Sequence, residues 1–346
     1  MPDGQVVERI VLRGSGGFEA RVISFGATLQ ALLTADSAGK CDDVVLGHDD
    51  LAGYLAKRSF FGATVGRYAN RIANAQFVLD GRMVQLAANN GPHALHGGPH
   101  GFDQKLWQID AIDDGAEPAV TLSYLSADGE EGYPGRLDVS VTYRLTGPAE
   151  LSLTLAARTD RPTIVNLTNH SFFNLEGALS GSNILDHRLM LAADHFLAID
   201  PTAIPLAGPP RGVGGTPFDF REITAIGERI RNNDEQLKHG KGYDHNFCLD
   251  NVGRLQLAAR LEAPKSGRVL ELLTDQPGVQ LYSGNYLDGA TAGKGGRLYR
   301  QSDALCLEPQ IWPNAPNRPD FPGPRLTADT TYRHHTVYRF SFRRQR

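Results

Sequence analysis

Apolar residues recur at every second position in run after run of this chain, and that spacing commits it to strands. In RLDVSVTYRL, Leu137, Val139, Val141, Tyr143 and Leu145 share one face of an extended segment, because successive side chains of a strand point in opposite directions. LSLTLAAR repeats the pattern with Leu151, Leu153 and Leu155, and TVYRFSFRR with Tyr338, Phe340 and Phe342. Turn chemistry punctuates these runs at DDG (113–115), SADGEEGYPG (126–135) and PGPR (322–325). The 38 glycines and 20 prolines would burden a helical protein but suit many short strands joined by turns. Helical spacing is confined to DLAGYLAK, around Leu51, Tyr54 and Leu55, and to REITAIGERIR, where Ile223, Ile226 and Ile230 form a stripe. Neither alternates regularly with strands, which argues against a βαβ layout. The expected fold is all-β, a large antiparallel β-sandwich with a few short helices. At 346 residues the chain is long for one core, yet sandwiches grow past the usual limit, so a single domain over 1–346 is expected. The segment 205–219 is the nearest thing to a linker, and a long surface loop within one domain explains it equally well.

Charge and cysteine content remove several function classes. A formal net charge of −4 with no long run of Lys or Arg argues against nucleic acid or an anionic membrane as partner. No apolar run is long enough to span a bilayer, and MPDGQVVERIVLRG lacks the basic and apolar regions of a signal peptide. Cys41, Cys248 and Cys306 are odd in number and far apart, so they form neither a disulfide framework nor a zinc spacing. A cytoplasmic protein, monomer or homodimer, is the expectation.

Titratable residues concentrate in Gly-, Pro- and Asn-rich stretches of the kind that functional loops use. His93, His96 and His100 are spaced like helical metal ligands, but the glycines and prolines among them forbid a helix, and neither HExxH nor a paired-cysteine knuckle occurs. No metal and no cofactor is expected. His170, in LTNHSFFNLEG (167–177), is either a hydrogen-bonded histidine at a strand end or a catalytic one whose ring Asn169 and Ser171 would orient. Glu308 closes the apolar run LCLEPQ; a carboxylate there is turned to solvent or functional, since burying it is otherwise expensive. Asp244 follows ordinary turn chemistry, and Arg71 is a surface arginine or a fork of donors in a cleft. His, Glu, Asp, Arg and Asn without an evident nucleophile suggest acid–base work on a polyhydroxylated ligand, with Trp312, Phe172 and Phe173 available to stack on its C–H face.

Seven stretches in order resemble the aldose 1-epimerase, or galactose mutarotase, family: GRYANRI (66–72), LHGG with GFD (95–98, 101–103), DGEEGYPG (128–135), LTNHSFFNL (167–175), GYDHNF (242–247), GVQLYSGNYLDG (278–289) and LEPQ with PNAPN (307–310, 313–317). The resemblance implies a many-stranded sandwich with an open sugar cleft, and interconversion of the α and β anomers of a free aldose. It implies Glu308 as general base and His170 as general acid, with Arg71, His96 and Asp244 holding the sugar and Asn70 and Gln280 as further contacts. His100, Asn314 and Cys248 depart from the family's usual residues and bear on substrate preference. Four other readings stand beside this one. A hexose-phosphate 1-epimerase would need basic groups around the distal hydroxyl. A pentose mutarotase would share the fold. A glycoside hydrolase would pair Asp244 with Glu308, and a non-catalytic sugar-binding sandwich would leave the acid–base set unused.

Overall fold

The computed structural model describes residue 1 and residues 4–250 and 253–343. Two antiparallel sheets dominate. The larger has nine strands, running in space through Gln108–Asp113, Ala119–Ser126, Leu137–Leu145, Glu150–Thr159, Tyr332–Phe342, Arg268–Thr274, Gln256–Glu262, Arg188–Leu191 and Thr224–Ala225. The smaller has six: Phe172–Phe173, Leu305–Gln310, Gly278–Tyr282, Asp244–Cys248, His195–Phe196 and Arg211–Gly212. A four-stranded sheet from Arg9 to Asp43 packs against the same interior.

The alternation seen in the sequence sets which face is buried. Leu137, Val139, Val141, Tyr143 and Leu145 are all buried, as are Leu151, Leu153 and Leu155 on the neighbouring strand. They meet Val279, Leu281, Leu305 and Leu307 of the smaller sheet in one continuous apolar cluster, with the rings of Phe173 and Tyr338 5.2 Å apart. Each such side chain contributes about 1.5–3 kcal/mol on leaving water. Register is therefore strongly set, since a one-residue slip would turn a whole row outward. Phe342 continues the face of Tyr338 and Phe340 but is half exposed at the end of its strand.

The two helical expectations divide. Leu51–Ala56 is a helix capped by Asp50, whose carboxylate accepts from the Gly53 amide. REITAIGERIR is not: it holds the short strand Thr224–Ala225 and one 3₁₀ turn, Ile226–Glu228. There the Ile226 amide donates to the His187 carbonyl and the Gly227 amide to the Leu185 carbonyl, so pairing across the chain outcompetes a local helix. A second helix, Glu235–Gly240, has no counterpart in the sequence reading; Asp234 caps it. No helix among the described residues is long and apolar enough to cross a membrane.

Candidate active site

Three neighbouring strands of the smaller sheet form the floor of a cavity of about 310 Å³. Strand geometry sends Phe247, Val279, Leu281, Leu305 and Leu307 into the core, and Asp244, Gln280, Tyr282 and Glu308 the other way, into the cavity. Gln280 pairs in register with Glu308, and Asp244 with Tyr282. Gln280 Nε2 donates to Asp244 Oδ1 at 2.7 Å.

The opposite wall comes from the pair Arg71–Ile72 and Ala94–Leu95 with the residues at its ends. Asn70 and His96 both take left-handed backbone, φ 65° and 50°. Their backbones lock together: the His96 amide donates to the Asn70 carbonyl, and the Asn70 amide donates to His96 Nδ1, each at 3.1 Å. An imidazole that accepts at Nδ1 carries its neutral-state proton on Nε2, so His96 offers the cavity a donor. Burial, with the like charges of His170, Arg71 and Arg58 adding to it, holds its pKa well below the usual imidazole range. Gly97 has φ 85°, and a Cβ on it would stand 1.8 Å from the Gly66 carbonyl oxygen. The close approach of these two loops therefore requires glycine. Arg71 Nε donates to Asn90 Oδ1 at 3.0 Å.

His170 follows the short strand Thr168–Asn169, and its amide donates to the Ala63 carbonyl at 2.8 Å. Its ring is sandwiched between Phe60 and Phe172, at centroid separations of 5.6 and 5.0 Å and interplanar angles of 22° and 25°. Nε2 lies 3.5 Å from Glu308 Oε2, and Nδ1 lies 3.5 Å from Cys306 Sγ. Glu308 Oε2 is buried without a hydrogen-bond partner, which costs free energy unless a ligand supplies one. Burial pushes the His170 pKa down to about 4. Burial first, and then the neighbouring Asp244 charge, push Glu308 well above the carboxylate range. Burial raises Asp244 too, opposed by Arg71 and by the Gln280 hydrogen bond. The site thus disfavours charge on both His170 and Glu308.

All seven residues named from the sequence, Asn70, Arg71, His96, His170, Asp244, Gln280 and Glu308, line this one cavity. The neighbours assigned to His170 do not serve it. Asn169 Nδ2 donates to the Gly62 carbonyl and to Tyr143 Oη, and Ser171 Oγ donates to Asn169 Oδ1. In extended chain, residues beside His170 face away from it. For the same reason Phe173 enters the core while Phe172 lines the cavity. Trp312 is off the cavity, donating to the Pro277 carbonyl and packing on Phe321. Phe60, Tyr282 and Tyr286 complete the walls and were not foreseen; Phe60 lies in no periodic run, and its φ of 59° is invisible to patterning.

Other motif residues act at a distance. DGEEGYPG does not line the cavity: the carbonyls of Pro134 and Gly135 and the Ser126 hydroxyl bind the fully buried Arg67 guanidinium of GRYANRI. Asn314 accepts from the Ala73 amide through Oδ1, His100 neighbours Arg67, and Cys248 packs beside Trp312. None of these three residues lines the cavity.

His96, His170 and Glu308 offer ligand atoms within 4.8 Å of one another, a spacing that a metal would accept. His96 does not fit that use. Metal-bound imidazoles donate through their second nitrogen, whereas His96 Nδ1 accepts a backbone N–H, leaving Nε2 protonated.

The aldose 1-epimerase family profile matches residues 8–339. Galactose mutarotase of Bos taurus is 47% identical over 335 residues, covering 97% of this chain and 94% of that protein. Aldose 1-epimerase of Escherichia coli is 38% identical over 342 residues, covering 98% and 96%. The crystal structure of an aldose epimerase homologue from C. elegans superposes with a TM-score of 0.87 at 32% identity, over 97% of this chain and 99% of that one. Identity at this level along nearly the whole length, together with an imidazole and a carboxylate meeting on a cavity floor, places the protein: the chain belongs to the aldose 1-epimerase family.

Proposed function

We propose that this protein interconverts the α and β anomers of free aldoses, with Glu308 as general base, His170 as general acid, and Asn70, Arg71, His96, Asp244 and Gln280 gripping the sugar. The observation that carries the assignment is the 3.5 Å approach of His170 Nε2 to Glu308 Oε2, both buried, on a floor ringed by donors and acceptors. Ring opening needs one proton removed at O1 and one delivered at O5. Glu308 takes the O1 proton as C1=O forms and C1–O5 breaks, and His170 gives its Nε2 proton to O5. After rotation about C1–C2, O5 attacks the other face of the aldehyde. O5 then returns its proton to His170 while Glu308 reprotonates O1. The cycle closes with no net proton exchange. Each positioned group contributes about 10²–10⁴-fold.

The free cavity favours neutral His170 and protonated Glu308, because burial penalises both charges. An aldose reverses that preference: its O1 hydroxyl donates to the carboxylate while O5 accepts from the imidazolium, and hydrogen bonds to a charged form favour that form. Substrate thereby arms the pair.

The charge around the cavity favours an unphosphorylated sugar. Arg58 is held by both oxygens of Asp103 at 2.6 and 2.7 Å, and Lys57 by Asp288 at 3.0 Å, while Asp244 and Glu308 add acidic groups. Of the cations lining the cavity only Arg71 lacks a carboxylate partner, and it is assigned to the sugar, so no cluster of open cations awaits a phosphoryl group. The same proposal takes 1–346 as a single domain, supported by the apolar cluster shared between the large sheets, and a reducing cytoplasm as its setting, supported by three free cysteines. Polarimetry on freshly dissolved α-glucose, α-galactose, xylose, arabinose and glucose 6-phosphate tests the function. Catalysed relaxation of the free sugars is expected, and none beyond the spontaneous rate would overturn it.

A further inference from the structure

Cys306 lies two residues before Glu308 on the strand Leu305–Gln310, and so on the same face. It is fully buried among Leu46, Phe61, Phe172 and Tyr282, and its sulfur is 3.5 Å from His170 Nδ1. Among the described residues Cys306 is the one side chain in hydrogen-bond contact with Nδ1, and a contact of the ring with its own backbone carbonyl also favours a protonated nitrogen. The two ring nitrogens of His170 therefore face different groups: Nε2 the carboxylate of Glu308, Nδ1 a thiol.

We propose that Cys306 is a positioning residue, whose neutral sulfur accepts the Nδ1–H of His170 and reserves Nε2 for the proton exchanged with the sugar. The proposal rests on the role given above to His170. Which imidazole nitrogen carries the proton is set by the hydrogen bond that the other makes. Without the sulfur the neutral ring is held less firmly to that tautomer, and a ring with its proton on Nε2 cannot take the proton back from O5 on reclosure.

A thiol suits a reversible reaction better than the carboxylate that orients histidine in many hydrolases. A carboxylate at Nδ1 would stabilise the imidazolium and make its proton harder to release. A sulfur is a weak acceptor and stays uncharged here, since burial pushes the Cys306 thiol well above its ordinary range. His170 then receives direction without a large gain in basicity, and an epimerase must both give and recover this proton in every turnover.

The test uses Cys306→Ala, which removes the acceptor, and Cys306→Ser, which keeps a polar partner. Both are assayed for kcat and KM by polarimetry, with the ¹⁵N resonances of the His170 ring assigned by their loss in His170→Asn. Cys306→Ala is expected to lower kcat about 10–100-fold, as when a metal-ligating histidine loses its outer hydrogen-bond partner, at near-normal KM. Its ring signals should move toward the Nε2–H tautomer, and Cys306→Ser should recover much of kcat. Wild-type kcat and an unchanged tautomer in Cys306→Ala would overturn the proposal. Equal loss in both variants with the tautomer unmoved would overturn it too, by reducing Cys306 to packing. Full activity of His170→Asn would instead sink the acid assignment, while the ring spectra would still report the sulfur contact.

Discussion

Gln280 stands opposite Glu308 on the adjacent strand, yet its amide is engaged by Asp244, 2.7 Å away. That hydrogen bond favours the charged form of Asp244, and the charge in turn raises the proton affinity of Glu308. Two carboxylates in one cavity thereby sit in different surroundings: Arg71 and the Gln280 amide oppose the effect of burial on Asp244, whereas Glu308 also feels the Asp244 charge.

Removing the proposed acid or base should cost turnover rather than binding. Glu308→Gln keeps the shape of the side chain but cannot accept the O1 proton, and His170→Asn cannot deliver one to O5. Each should lower kcat by about 10²–10⁴-fold while sugar binding stays measurable by calorimetry. A folded Glu308→Gln with near-normal turnover would remove Glu308 as base, and a His170→Asn that altered only KM would make the histidine a binder.

Asp244→Asn should move the pH profile in a defined direction. The Asp244 charge raises the Glu308 pKa, so neutralising it lets Glu308 ionise at lower pH. The active pair carries one proton, which is lost when Glu308 ionises, so the alkaline limb of kcat/KM should shift downward in pH, with KM raised by the lost hydroxyl contact. An unmoved or upward-shifted limb would show that Asp244 does not tune Glu308.

Acid should destabilise the fold through buried histidines outside the cavity. His187 Nε2 accepts from the Leu175 amide, and burial pushes its pKa from 6.5 down to about 3. Between those values the unfolded chain binds a proton that the native state refuses, so stability falls as pH drops below 6.5, by up to about 1.4 kcal/mol per pH unit for the group. In His187→Gln, where an amide oxygen can accept the same backbone bond, urea midpoints at pH 7 and pH 4.5 should differ less than in the wild type. Identical differences in the two proteins would refute the assignment.

Arg67 is predicted to govern stability rather than chemistry. Arg67→Met strands the carbonyls of Pro134 and Gly135 and the Ser126 hydroxyl, at a cost on the order of 3 kcal/mol. The loss should appear in the denaturation midpoint, with kcat of the folded fraction preserved. A variant as stable as wild type would mean that these groups find other partners.

The cavity's lining was partly visible in the sequence and partly not. His170, Glu308 and Gln280 lie in strand-like runs where polar groups are conspicuous, and the ordered resemblance named them together with Asp244, Arg71, Asn70 and His96. The misassignment of Asn169, Ser171 and Phe173 came from treating sequence neighbours as spatial neighbours. The alternation that located the core strands would also have shown that residues flanking His170 face away from it. Phe60, Tyr286 and Cys306 gave no comparable signal, because each acquires its role only from a ring or strand distant in the chain.

The sequence by itself determined the strands and their inward faces, because side-chain direction along an extended chain is a local property with a period of two. Only the tertiary structure decided that residues 136 positions apart, His170 and Cys306, would touch, and that Glu308 would meet the same imidazole from its other side. Register between distant strands makes those contacts, and it is fixed by the packing of the whole interior rather than by any segment alone. The proton affinities that follow from burial are likewise properties of the assembled cavity.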